Sequence, residues 1–350
     1  MVKETNKTAP IVKRFQRIAA TTVGAVVFLI LVGALVRMTG SGMGCPDWPQ
    51  CFGQWIPPTD ISQLPADYKT RFEVAGKEIA DFDAFKTWVE YVNRLIGVLI
   101  GFLSILTALF AWPIRKLHPT SWRFSLAGLV MVIVQGGIGA YVVRTNLHTG
   151  MISLHMVIAL LILGVFMWAW LSSYQRFFAQ IAASVSNISS SILNIGILTL
   201  VLMMTQIILG TQVREAVDEI AKAMGEATRS SWVAQLGQSY GIHKYFYYAV
   251  VISLGFWLYQ GRNIIKQIQV LQWTSMTMLS CLGATIILGL SMHHLGMPAW
   301  MQPAHLLLAT VLIASAFAHF SILMRIHWIL KAESENPPQK SLPLQSEILS

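Results

Sequence analysis

Two pairs of side chains carry the chemistry this sequence suggests. His243 begins one long apolar stretch (GIHKYFYYAVVISLGFWLYQ) and His305, 62 positions later, begins another (QPAHLLLATVLIASAFAHF). Asn93 and His155 each lie 150 positions earlier and keep the same separation of 62. Gly139 and Gly289, in the stretches between, are also 150 apart. One half of the chain therefore reads as a copy of the other, with three imidazoles and one carboxamide at four matched places. Two histidines at equal depth on different helices of one bundle can ligate a haem iron from both faces. A lone buried histidine is as often held by a neighbouring carbonyl, but a pair repeated at one spacing favours ligation.

Other candidates cluster at the ends of apolar runs. Glu90 and Arg94 stand four apart, the spacing of a self-neutralising helical pair. Beside His155, Glu90 could equally accept a proton at an iron site. Cys45 and Cys51 share the loop TGSGMGCPDWPQC. A disulfide there needs an oxidising face, and zinc would need more ligands than the loop offers. A structural clip is the plain reading, with a redox role as the alternative. Arg37, Arg144 and Arg214 close apolar runs and could pair with haem propionates or snorkel. His118, His148, His293, His294 and His327 read as boundary residues, and His319 lies deeper with no evident partner. Cys281 reads as a small buried hydrophobe.

The elements that must position these residues are membrane helices. The chain is 55% hydrophobic and only 12% charged, with a mean hydropathy of +0.58, far too apolar for a soluble domain. Eight apolar runs of membrane-spanning length are expected, near 17–38, 88–112, 122–143, 150–172, 192–213, 241–260, 271–292 and 303–324. The first reads as a retained signal anchor rather than a removed signal peptide. Lys3, Lys7, Lys13, Arg14 and Arg17 precede it, and Arg115, Lys116, Arg123, Arg262, Lys266, Arg325 and Lys331 flank later runs on the same side. The loop after the first run is acidic instead, which predicts cytoplasmic termini and an outward-facing cysteine loop. The net charge of +9 is explained by this asymmetry and gives no case for nucleic acid.

The first and fifth runs both end in Gly-x-x-Val-Arg, at Gly33–Arg37 and Gly210–Arg214. The expected fold is all-α and integral to the lipid bilayer: eight transmembrane helices as two pseudo-symmetric four-helix bundles. The first bundle takes 17–177 with a long loop at 39–87, and the second takes 192–325. A cytoplasmic segment at 1–16, a polar linker at 178–191 and a cytoplasmic tail at 326–350, Pro- and Ser-rich from Glu333, complete the chain.

These residues resemble the haem A synthase family. The likeness covers about residues 17–325 and rests on VRMTGSGMGCPDWPQC, Glu90-Tyr91-x-x-Arg94, QGGIGAYVVR and the three histidines. The resemblance implies an enzyme of a bacterial cytoplasmic membrane that oxidises the C8 methyl of haem O to the formyl group of haem A. Successive hydroxylations and loss of water are the usual account. It implies haem b between His243 and His305, haem O as substrate on His155, Glu90 as the essential acid with Arg94 beside it, and Cys45 and Cys51 as the family's cysteine pair. Haem O synthase, haem–copper oxidase assembly and a quinol or other electron donor are the implied partners. Many members carry His where this chain has Asn93, and Lys244 stands where an Arg is expected. Asn93 would contact the haem but bind iron poorly, leaving one face open. Two other classes remain: a b-type cytochrome carrying electrons from quinol, which needs two bis-histidine sites, and a haem-binding chaperone, which gives Glu90 no role.

Overall fold

The computed structural model of the protein describes residues 8–335. Its eight long helices are α1 (Ala9–Met38), α2 (Ala84–Ala111), α3 (Pro119–Arg144), α4 (Thr149–Leu171), α5 (Ser190–Met224), α6 (Gln238–Gln267), α7 (Gln269–His294) and α8 (Met301–Glu335). No strand forms among the described residues. Only two isolated bridges, Cys51–Gln54 and Val74–Lys77, tighten the loop between α1 and α2. Apolar runs become helices because a segment inside a membrane must satisfy every backbone N–H and C=O internally. Pro sits in the first turn of α1 and α3, and the Asp83 side chain caps α2 by accepting from the Lys86 N–H at 3.1 Å.

The packing closes two rings. In the first, α1 touches α2 and α4, and α3 touches α2 and α4; in the second, α5 touches α6 and α8, and α7 touches α6 and α8. The rings meet through α1 on α8, α5 on α4, and α4 on α8. Small residues bring the helices close. A Cβ on Gly128 would lie 2.7 Å from the Phe166 ring, and one on Gly196 would lie 2.8 Å from Trp257. Buried hydroxyls pair across helices, as Thr22 does with Thr107 at 2.8 Å. Outside the rings, Ile133 (67% exposed) and Ile252 (69%) typify an apolar outer surface of the kind that faces lipid.

Seven of these helices are long and apolar enough to cross a membrane. The expected eighth, α6, is 30 residues long but falls outside that set. Its apolar centre is flanked by Tyr245, Tyr247 and Tyr248 at one end and Tyr259, Gln260 and Arg262 at the other. Several boundaries also differ from expectation. The first helix, expected from about 17, begins at Ala9. α5 continues through Met224 because Val217 is buried against Trp232 and Met297, which extends its apolar stripe. The tail expected from 326 is helical to Glu335, with Ile326 fully buried, and its remainder lies outside the described residues, as do Lys3 and Lys7. The stretch expected as a polar linker holds the end of a helix at Gln175–Ala182 and buries Phe178, Ala182, Val185 and Ile188 in the larger core. His319 does have partners: its Nδ1 lies 2.7 Å from the Thr274 hydroxyl, and Trp257 meets its ring edgewise.

Candidate functional site

His243 lies near the start of α6 and His305 near the start of α8, which are opposite members of the second ring. Their imidazoles face each other across it, with ring centroids 6.5 Å apart. The other two helices present glycine at that level. A Cβ on Gly210 of α5 would come within 3.2 Å of the His243 ring, and one on Gly289 of α7 within 3.5 Å of His305. The ring centre is thus walled by two imidazoles on one diagonal and by bare backbone on the other. A planar metal macrocycle with an axial nitrogen on each side suits such a slot.

The first ring repeats the arrangement with one change. His155 on α4 lies against Gly139 of α3, where a Cβ would stand 3.4 Å from its ring. Asn93 takes the place of His243 on α2, and Gly33 of α1 has nothing within 4 Å of an added Cβ. The rings of His243 and His305 lie against the backbone of Gln206 and Thr285, whereas His155 Nδ1 and Asn93 Oδ1 are buried without partners. Orphaned buried polar atoms are rare in proteins. Gln135 donates to the His155 carbonyl at 2.8 Å and Gln206 to that of His243 at 3.1 Å, pinning the turns that carry both histidines. Among the described residues no three His, Cys, Asp or Glu side chains gather as a metal cluster.

Glu90 and Arg94 form an ion pair at 2.5 Å, and Glu90 is only 4% exposed. Their main contact is with the cysteine loop. Glu90 accepts the Cys45 N–H at 2.9 Å, while Arg94 donates to the carbonyls of Asp47 (2.5 Å), Gln50 (3.0 Å) and Cys45 (2.8 Å). Thr87, one turn before Glu90, donates to the Gly44 carbonyl at 2.9 Å. Thr87, Glu90 and Arg94 share one face of α2 through their spacing of three and four. Gly44 has to be glycine, since a Cβ there would collide with the Lys86 carbonyl at 2.4 Å. Cys45 and Cys51 are joined as a disulfide, as expected. In the second half the places of Glu90 and Arg94 are taken by Tyr240 and Lys244, and the Tyr240 hydroxyl bonds His293 Nδ1 at 2.7 Å.

Arg37 and Arg214 both bind Asp218, each at 2.6 Å, and Arg214 also reaches Gln302 and the Arg37 carbonyl. The matched arginines of the two halves thus converge on one carboxylate between the rings, beside a Ser153–Thr211 hydrogen bond of 2.9 Å. Asp218 was not among the residues the sequence singled out, although it stands one turn after Arg214. Arg144, grouped with these two from sequence, is exposed at the end of α3 and apart from that cluster. His118 is buried where a basic flank was expected, and His327 Nδ1 meets the Ile188 carbonyl at 2.8 Å. Cys281 is buried with a free thiol.

Fold and site together define a multi-pass helical membrane protein with one pair of half-buried histidines facing each other in the second ring and a third, His155, in the first. The chain belongs to the family described as COX15-CtaA, cytochrome oxidase assembly protein, whose profile matches residues 16–317. It is 30% identical over 148 residues to the heme A synthase of Alkalihalophilus pseudofirmus, covering 42% of each chain. To the heme A synthase of Hyphomonas neptunium it is 32% identical over 159 residues, covering 41% of this chain and 44% of that one. With that of Shewanella oneidensis it shares 24% over 182 residues, covering 52% and 51%. The matched stretches therefore span 42% to 51% of those relatives' lengths.

Proposed function

We propose that this protein is a haem A synthase that oxidises the C8 methyl of haem O to a formyl group, for use by a haem–copper oxidase. The observation that carries the reading is the His243–His305 pair, facing at 6.5 Å across a glycine-walled slot. Family membership and the named relatives support it. In this reading His243 and His305 hold a resident haem b, and His155 holds the haem O substrate in the first ring. Bound haem iron supplies one-electron and oxygen chemistry that no side chain has.

The chain's own residues then have these tasks. Gly33, Gly139, Gly210 and Gly289 keep the slots free of side chains. Gln135 and Gln206 fix the turns bearing His155 and His243. Glu90 is the acidic group beside the first site, and Arg94 holds its carboxylate in place against the cysteine loop. Arg37 and Arg214 are the propionate-binding candidates between the rings, with Asp218 offsetting one of their two positive charges, while Arg144 reaches the same end from α3.

The same reading has α6 as an eighth span, its tyrosines lying at the membrane interfaces as an aromatic belt. The two rings become pseudo-symmetric four-helix bundles, 17–177 and 192–325, joined through 178–191. Basic residues at one end of the helices support cytoplasmic termini in a bacterial cytoplasmic membrane, with the disulfide on the oxidising side. Haem O synthase and a quinol or similar electron donor are the partners this chemistry requires.

The test is co-expression with a haem O synthase, with oxygen and a reductant supplied, followed by extraction and mass analysis of the haems. Haem A or its hydroxylated precursor is expected. Only haem b and unchanged haem O would overturn the reading in favour of an electron-carrying cytochrome or a haem chaperone.

A further inference from the structure

The two halves differ at one axial position, and the surroundings of that position are informative. His243 fills the space in front of Gly210, whereas its counterpart Asn93 leaves the space in front of Gly33 open. No neighbour on α2 can substitute as a ligand. Glu90 is held by Arg94 and the Cys45 amide, the Tyr91 hydroxyl donates to the Trp55 carbonyl at 2.5 Å, and Arg94 is a cation spread over three carbonyls. The adjacent cysteines are committed to each other. What remains on that side is the Asn93 carboxamide, whose buried Oδ1 has no partner. On the other side His155 keeps the same glycine contact as its counterpart His305.

We infer that the first ring binds its haem through His155 alone and keeps the Asn93 face as an entry position for a small neutral ligand, with the carboxamide as its polar wall. The second ring is closed by two imidazoles and excludes such ligands. This rests on the haem-binding reading above. One iron position is then open on the Asn93 side, and the other is closed on both.

The probe is carbon monoxide, applied to the reduced protein purified from cells co-expressing a haem O synthase, with electron paramagnetic resonance of the oxidised form alongside. The expected result is one high-spin, carbon-monoxide-reactive haem and one low-spin, unreactive haem. Asn93→His should abolish carbon monoxide binding and turn the high-spin signal low-spin without loss of haem. His155→Ala should remove the reactive haem and leave the low-spin one. Two low-spin, unreactive haems in the unaltered protein would overturn the inference while leaving the haem-binding reading intact. Reactivity that survives Asn93→His, or vanishes with His305→Ala instead, would overturn it as well. A protein that takes up no haem in either ring would refute the haem-binding reading and this inference with it.

Discussion

The carboxylate of Glu90 accepts the backbone N–H of Cys45 at 2.9 Å while its other oxygen holds Arg94 at 2.5 Å. An acidic residue of the proposed site is therefore also the anchor of the cysteine loop.

Arg94→Lys tests that anchoring. A lysine keeps the charge but cannot fan out to three carbonyls and a carboxylate. Losing two charge-assisted bonds costs about 1.5–3 kcal/mol each where they are buried. Reduction of the Cys45–Cys51 disulfide by a mild thiol should then quicken by on the order of a hundredfold or more, about 1.4 kcal/mol being a factor of ten. Thiol labelling over time checks this, and an unchanged rate would show that the loop is held by other contacts.

Asp218→Asn should loosen the seam between the rings. It removes the carboxylate that the Arg37 and Arg214 guanidinium groups share. The groups are partly exposed, so the expected loss is about 1–2 kcal/mol after solvent screening. A lower melting temperature in detergent is the readout. Arg37→Ala and Asp218→Asn combined should cost less than the sum of the two single changes.

Gly33→Ala and Gly210→Ala should differ although the two positions match in the repeat. An added methyl at Gly33 meets nothing within 4 Å, whereas at Gly210 it stands 3.2 Å from the His243 ring and must displace it. Gly33→Ala should leave the low-spin signal of the second ring unchanged while narrowing the open face of the first, and Gly210→Ala should perturb the low-spin signal. Equal spectra from both variants would argue against the slot described for the second ring.

Gly128→Ala should destabilise the first ring by about 1–3 kcal/mol, the usual cost of overpacking a tight contact. Its Cβ would overlap the Phe166 ring at 2.7 Å. Adding Phe166→Leu should recover much of the loss, measured as melting temperature. Failure of that rescue would mean the strain lies in the helix backbone.

Much of the architecture was legible because its signals are local or periodic. Long apolar runs announced the helices, and the matched separations of 62 and offsets of 150 pointed to the two halves and to the residues at corresponding places in them. Long-range hydrogen bonding was not legible. The spacing of Glu90 and Arg94 showed a pair, but nothing in it showed that the pair grips a loop some 45 residues earlier. Asp218 escaped notice because its partners come from both halves. The ends of α5 and α8 were placed too early because each helix continues on tertiary packing, through Val217 and Ile326, after its apolar run has ended. α6 shows the reverse effect: its flanking tyrosines and charges dilute an apolar centre that the packing treats like the other seven.

The grip of Thr87, Glu90 and Arg94 on the cysteine loop also orders events in time. During synthesis the loop leaves the ribosome well before the three residues that fasten it. It must stay open until α2 has been threaded, and only then can Gly44 settle against the Lys86 backbone. A nascent chain stalled before α2 would expose an unfastened cysteine pair to every passing oxidant. Completion of the first helical hairpin is thus the earliest moment at which this end of the protein can be sealed.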